Sequence, residues 1–171
     1  NIGEIYFDNG AYDQALEYYT RSFDTAEQSK KVGYKKRMGH SLSSIGNMYG
    51  YKGDYDKALE YYERSLKILE EIGDKHGMEV SLNNIGVVHS DKGDYDKAVD
   101  YLEKSLKIKK EIGLKVFVLE TTIYLYLTYK HLGKEYDEKE IHTLIKKDEN
   151  INFSQIHYLN FDFALNLRLY E

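Results

Sequence analysis

The segment GNMYGYKGDYDKALEYYERSLKILEEIGDKHG at 46–77 returns as GVVHSDKGDYDKAVDYLEKSLKIKKEIGLKV at 86–116, forty residues on. A third copy, GEIYFDNGAYDQALEYYTRSF, occupies 3–23 at an offset of forty-three, and an eroded fourth, YLTYKHLGKEYDEK, occupies 126–139. Self-similarity at a fixed period of this size means stacked supersecondary units, none of which buries its apolar face alone. What such an array can do depends on the face it leaves free.

Within one unit, Leu42, Ile45, Gly46 and Tyr49 recur at helical spacing, and Ala58, Leu59, Tyr62, Leu66 and Leu69 do so again after a Gly-Asp step. Each unit is therefore a pair of amphipathic helices. Gly53 is placed as the left-handed residue past the first helix, and Asp54 as N-cap of the second; Gly73 and Asp74 repeat the pattern before the next unit. The spacing predicts helices near 1–9, 12–32, 34–51, 55–72, 75–91, 95–112, 115–132 and 136–148. Repeats then fall near 1–33, 34–73, 74–113 and 114–149, with 150–171 as a capping segment. The step from Ala15 to Gly33 is eighteen residues, against fifteen from Ala58 to Gly73 and from Ala98 to Gly113. An insertion of three, close to one helical turn, is expected late in the second helix of repeat one, lengthening it with little rotation of its core face. Gly3, Gly46 and Gly86 each stand twelve residues before an alanine, Ala15, Ala58 or Ala98. A mid-helix glycine costs about 1 kcal/mol relative to alanine, so a shared close approach between the paired helices is predicted, with the alanines opposite and Tyr12, Tyr19, Tyr49 and Tyr62 filling the gaps between hairpins.

In repeat two, Ile45, Gly46, Tyr49, Gly53, Ala58, Tyr62 and Ser65 follow in order; repeat one has Ile2, Gly3, Tyr6, Gly10, Ala15, Tyr19 and Ser22, and repeat three Ile85, Gly86, Gly93, Ala98, Leu102 and Ser105. This series resembles the tetratricopeptide repeat family. The unit is forty residues rather than the usual length of about thirty-four, which resembles the subfamily with extended helices. The fourth copy has Tyr126 for the glycine and Glu138 for the alanine, as at the end of an array. The resemblance implies an all-α fold, a right-handed αα superhelix of stacked antiparallel helix hairpins with a C-terminal capping helix. It also implies that the first helix of each pair lines the concave side. Repeats plus tail further resemble helical arrays attached to bacterial signalling enzymes, including nucleotidyl cyclases.

The tail supports two periods. Leu159, Phe161, Phe163, Leu165, Leu167 and Leu169 alternate as in a strand, whereas Ile156, Leu159, Phe163, Leu167 and Tyr170 form a helical seam. A lone strand in a helical stack would leave its backbone unpaired unless a second chain supplied a partner, so a helix closing the last hairpin is expected. Solenoid ends need a polar outer face; this chain starts within a repeat and finishes on an apolar tail, so either it is cut from a longer array or its ends contact copies of itself.

Composition removes several functions. No run of eighteen apolar residues exists, so no membrane span is expected, and the start lacks the regions of a secretory signal. There are no cysteines, which excludes disulfides, thiolate metal sites and a Cys nucleophile and fits a reducing, cytoplasmic compartment. A net charge of −5 offers no general attraction to nucleic acid. His40, His76, His89, His131, His142 and His157 form no paired ligand motif, and His89 takes the slot of Tyr6 and Tyr49, which predicts packing. Glu138 and His142, one turn apart, would supply only two metal ligands. With neither a nucleophile and its base nor a phosphate loop, no catalytic residue, metal or cofactor is expected. The basic run KKVGYKKR at 30–37 reads as a solvated turn whose lysines offset the negative end of the preceding helix.

If the first helices line a groove, it holds His40, Ser43, Asn47, Gly50 and Tyr51 in repeat two, and Val80, Asn83, Asn84, Val87, Ser90 and Asp91 in repeat three, with Glu4 and Asp8 from repeat one. The candidate site is His40, Ser43, Asn47, Tyr51, Asn83, Asn84, Val87 and Asp91. Asparagine both donates to and accepts from a peptide bond, so Asn47, Asn83 and Asn84 could hold a partner backbone while Tyr51 and Val87 receive side chains. The family's carboxylate-gripping cations are absent, since Ser43, Asn83 and Ile123 stand where they would be. With Glu4, Asp8 and Asp91 present, a neutral or basic protein segment is the expected partner. The leading reading is a non-enzymatic protein-binding scaffold. The alternatives are self-assembly into a homo-oligomer through the ends or tail, and a regulatory array within a larger signalling enzyme.

Overall fold

The computed structural model describes residues 2–29 and 32–134, the side chains of 32, 115 and 116 excepted. Seven helices make up these residues: α1 (Ile2–Asp8), α2 (Tyr12–Ser29), α3 (Val32–Tyr51), α4 (Tyr55–Ile72), α5 (Lys75–Asp91), α6 (Tyr95–Ile112) and α7 (Lys115–His131). Each packs mainly on its neighbour in sequence, and α3 with α5 and α5 with α7 also touch. The result is an all-α stack of antiparallel hairpins. Contacts divide the chain into two compact units, 1–136 and 137–171, and all seven helices lie in the first. The helix expected at 136–148, the domain boundary at 149/150, the choice between helix and strand for 150–171, and the Glu138/His142 pair all lie outside the described residues.

Gly53, at φ +76°, adopts the left-handed conformation that ends α3. The next amide, Asp54 N–H, donates to Tyr49 O at 2.9 Å. Asp54 Oδ1 then accepts the Lys57 amide at 3.3 Å, capping α4. Asp74 takes the same place before α5, and its carboxylate also serves side chains of α3.

The helical glycines do mark close approaches, though not to the alanines. A Cβ on Gly46 would stand 2.7 Å from the Tyr62 ring, one on Gly3 equally near the Tyr19 ring, and one on Gly86 2.7 Å from Leu102 Cγ. Each glycine therefore receives the large side chain four residues past the alanine. The alanines serve the next junction: Ala15 and Tyr19 pack with Ile45 and Met48, and Ala58 and Tyr62 with Ile85 and Val88. A bulky residue at Ala58 would part the hairpins; a small one lets the ring of Tyr62 bridge them.

The insertion also lies elsewhere than expected. Helices α2, α4 and α6 have 18 residues each, whereas α3 has 20 against 17 for α5 and α7. Lys35 pairs with Glu71 at 3.1 Å as Lys75 pairs with Glu111 at 2.9 Å, which restores the forty-residue register by Lys35. The extra residues thus extend the start of α3, where a longer helix can overhang the stack without displacing a packed contact. Exposed pairs Lys52–Asp13 and Lys92–Asp56 repeat along the turns, where solvent screens them.

Candidate binding groove

A cleft of about 560 Å³ opens beside α3, walled by α1, α2 and α5. Along α3 it is lined by Arg37, His40, Ser41, Ser44 and Asn47, a stripe at three- and four-residue steps. Opposite stand Tyr18, Tyr19 and Ser22 of α2, with Glu4 at one end and Val80 at the other. A second hollow of about 410 Å³ shares Glu4, Tyr19, Ser44 and Asn47 and adds Phe7 and Asp8.

Three of the eight sequence-predicted residues line this cleft: His40, Ser43 and Asn47. His40 Nε2 lies 3.1 Å from Asp74 Oδ2, which also takes Lys36 Nζ at 3.2 Å. Burial pushes the Asp74 carboxyl up, but His40, Lys36 and the Gly77 amide together outweigh it and leave it lowered. Ser43 is only 8% exposed, and its hydroxyl has no hydrogen-bond partner. Asn47 Oδ1 accepts from Tyr62 OH at 2.7 Å and from Asn84 Nδ2 at 3.0 Å, joining α3, α4 and α5.

The remaining predicted residues go elsewhere. Asn83 Oδ1 accepts from Lys109 Nζ at 3.0 Å and Thr121 Oγ1 at 2.8 Å, inside the junction of α5, α6 and α7. The Tyr51 ring lies 4.9 Å from Phe7 and stacks on Tyr12 at 5.8 Å, at the turn end of the first hairpin. Val87 is half-buried and Asp91 exposed, neither on the cleft wall; local burial nonetheless raises the Asp91 carboxyl. His89 packs as expected, buried and stacked on Tyr101 at 5.7 Å, in the same way that Tyr49 stacks on Tyr61. Of the basic run at 30–37, Lys30 and Lys31 lie outside the described residues, and Lys35, Lys36 and Arg37 are exposed. Lys35 and Lys36 reach Glu71 and Asp74 around the α4–α5 turn, and the Arg37 guanidinium sits over the Tyr34 ring at 5.5 Å at the cleft mouth.

Sequence reasoning missed the α2 wall and Arg37, Ser41 and Ser44. A signal existed: Arg37, Ser41, Ser44 and Asn47 fall at four- and three-residue steps along one face of α3. Among the described residues no group of three His, Cys, Asp or Glu side chains is placed to hold a metal ion. No helix among them is long and apolar enough to cross a membrane.

Two sequence models described as tetratricopeptide repeat match the chain, one over residues 37–111 and one over 1–29. No curated protein matches by sequence search. Among solved structures, the apo form of RapI superposes with a TM-score of 0.81 at 16% identity, covering 98% of this chain and 64% of that one. Aspartyl phosphate phosphatase F from Bacillus subtilis gives 0.77 at 16% identity, covering 99% and 49%. A signal transduction ATPase from Pyrococcus horikoshii with a tetratricopeptide repeat sensor gives 0.68 at 18% identity, covering 91% and 23%. The chain thus spans less than two thirds of each of these proteins, and at such identities the likeness is one of fold.

Proposed function

The chain belongs to the tetratricopeptide repeat family, whose modules generally bind other proteins, and from that premise we propose a non-catalytic scaffold that seats a partner segment in the cleft beside α3. The cleft itself carries the reading: about 560 Å³ lined by hydroxyls, amides and aromatic rings suits a peptide backbone with one or two side chains. Glu4 and Asp8 at the α1 end favour a segment whose basic residues point there and disfavour a terminal carboxylate at that end. Asn47 lines the cleft with its Oδ1 already accepting from Tyr62 and Asn84, and Asn83 is engaged away from it by Lys109.

The test is selection of displayed peptides on the full chain, followed by affinities for variants at Glu4 and Val80. Peptides rich in Lys and Arg whose binding weakens about tenfold, roughly 1.4 kcal/mol, in Glu4→Lys or Val80→Glu are expected. Acidic peptides, or peptides indifferent to both changes, would overturn the reading. The runner-up is a regulatory array of a larger signalling protein; its support is the fold likeness to a signal transduction ATPase that carries such repeats as a sensor.

A further inference from the structure

Helices α2, α4 and α6 each begin with a half-buried tyrosine, Tyr12, Tyr55 or Tyr95. The helix that follows each of them ends on the residue placed to cover that ring: Tyr51 for α3, Asp91 for α5 and His131 for α7. Two of the three covers are rings. Tyr51 stacks on Tyr12 at 5.8 Å, and His131 stacks on Tyr95 at 4.8 Å. At the middle junction the same register brings a carboxylate instead. A second source of ring surface is missing there too, because Phe7, whose ring lies 5.8 Å from Tyr12 and 4.9 Å from Tyr51, aligns with Gly50. A Cβ on Gly50 would meet nothing nearer than 3.8 Å. Tyr55 packs on the cluster of Ala58, Tyr62, Ile85 and Val88, but among the described residues it has no ring or cation stacked on it.

Asp91 is as unmatched as the ring beside it. Among the described residues no cation or hydrogen-bond donor pairs with its carboxylate, and burial raises it with nothing set against that rise. The lysines of these turns are spent elsewhere, Lys52 on Asp13, Lys92 on Asp56 and Lys134 on Asp96. We propose that Tyr55 and Asp91, with the space over Gly50, form a slot for an arginine side chain of a protein partner. A guanidinium supplies both missing halves: its plane stacks on a ring as Tyr51 and His131 do, and its fork of N–H donors meets a carboxylate. Lysine brings charge without a plane, and an apolar ring would leave Asp91 buried without a counter-charge. The described arginines of a second copy are engaged on their own helices, Arg21 with Glu17, Arg37 over Tyr34 and Arg64 over Tyr61. Neither Tyr55 nor Asp91 lines the cleft beside α3, so the slot stands apart from the groove reading.

The probe is the peptide acetyl-Gly-Arg-Gly-amide, titrated into the full chain with isotope-labelled tyrosine rings and followed by NMR. Its counterparts with lysine or citrulline in place of arginine serve as controls. A saturable shift of the Tyr55 ring signal, assigned through Tyr55→Leu, is expected in the millimolar range. Binding should weaken about tenfold in Asp91→Asn and be lost in Gly50→Phe, which copies the Phe7 filling of the first junction. The lysine peptide should bind more weakly and the citrulline peptide not measurably. Asp91 is exposed and Gly50 has room for a side chain, so unchanged circular dichroism accompanies both changes. Glu4→Lys, in the cleft, leaves the Tyr55 shift intact, which separates its failure from that of the groove reading. Absence of a saturable shift, an equal response to the citrulline peptide, or binding indifferent to Asp91→Asn and Gly50→Phe overturns the proposal. So does concentration-dependent self-association in sedimentation that Asp91→Asn abolishes, since the occupant is then a second copy.

Discussion

The same place in the stack is filled with oil at one junction and with charge at the next. Where α3, α4 and α5 meet, Leu69 is wedged between two glycines; a Cβ on Gly39 or Gly77 would stand 2.7 or 2.8 Å from its methyl carbons. Forty residues on, Lys109 takes the place of Leu69, Glu79 of Gly39, Asn83 of Ser43 and Thr121 of Ser81. Lys109 and Glu79 are each 3% exposed. The ammonium lies 3.4 Å from Glu79 Oε2 and donates to Thr121 Oγ1 at 2.6 Å and Asn83 Oδ1 at 3.0 Å. The frame around both fillings is unchanged: Ser65 donates to Gly39 O at 2.7 Å and Ser105 to Glu79 O at 2.9 Å. Backbone placement in this stack therefore does not depend on what fills the pocket, provided the four lining residues change together. The comparison also explains the orphan hydroxyl of Ser43. Its counterpart Asn83 accepts a hydrogen bond from Lys109, and a leucine has none to donate.

The largest expected effect comes from breaking the charged filling on one side. Lys109→Ala leaves Glu79 buried and unpaired and should cost about 3–5 kcal/mol, whereas Glu79→Gly with Lys109→Leu, which removes both charges together but makes only two of the four lining changes, should cost less. Urea unfolding of the three proteins checks both. Burial raises the Glu79 carboxyl from its ordinary 4.5 and lowers the Lys109 ammonium from its ordinary 10.5, each against the other's attraction. A raised carboxyl contributes stability below pH 4.5 that is lost as the pH climbs through its folded value. A lowered ammonium contributes above pH 10.5 and loses it as the pH falls. The double variant should accordingly compare best with the parent protein between the two folded values and worse toward either extreme; a flat profile would mean the pair is solvated.

The two fillings should also answer differently to the same truncation. Asn83→Ala strands the Lys109 and Thr121 donors and should cost about 1–3 kcal/mol, while Ser43→Ala removes an unpartnered hydroxyl and should be neutral or slightly stabilising. Equal losses in thermal melts would refute the assignment of Ser43 as unpaired. Smallest is the frame itself: Ser65→Ala and Ser105→Ala should each lose about 1 kcal/mol, and a clear inequality between them would show that filling and frame are coupled.

Much of this architecture is legible in the chain because each unit states its own rules several times. Gly46 and its equivalents announce a close approach, Gly53 and Asp54 a stop and a start, and Ile45 with Ala58 an interior. What they touch is less legible. Sequence placed the alanines opposite the glycines, and packing gave that position to Tyr62. The asparagines looked available for a ligand because they sit on the helix face turned from the core. Asn47 and Asn84 instead bond to each other across adjacent hairpins, a pairing that depends on inter-helix spacing. Lys109 reads as one more surface lysine in KIKKEI, although its alignment with Leu69 was a signal that it points inward.

The sequence alone determined the repeat, the helix pairs and their turns, because these depend on local backbone preference and on apolar spacing within a single helix. Only the tertiary structure decided which polar side chains are spent inside and where a cleft opens beside α3. Those outcomes turn on distances between helices, and a side chain's hydrogen bonds go to whatever the neighbouring helix brings within about 3 Å.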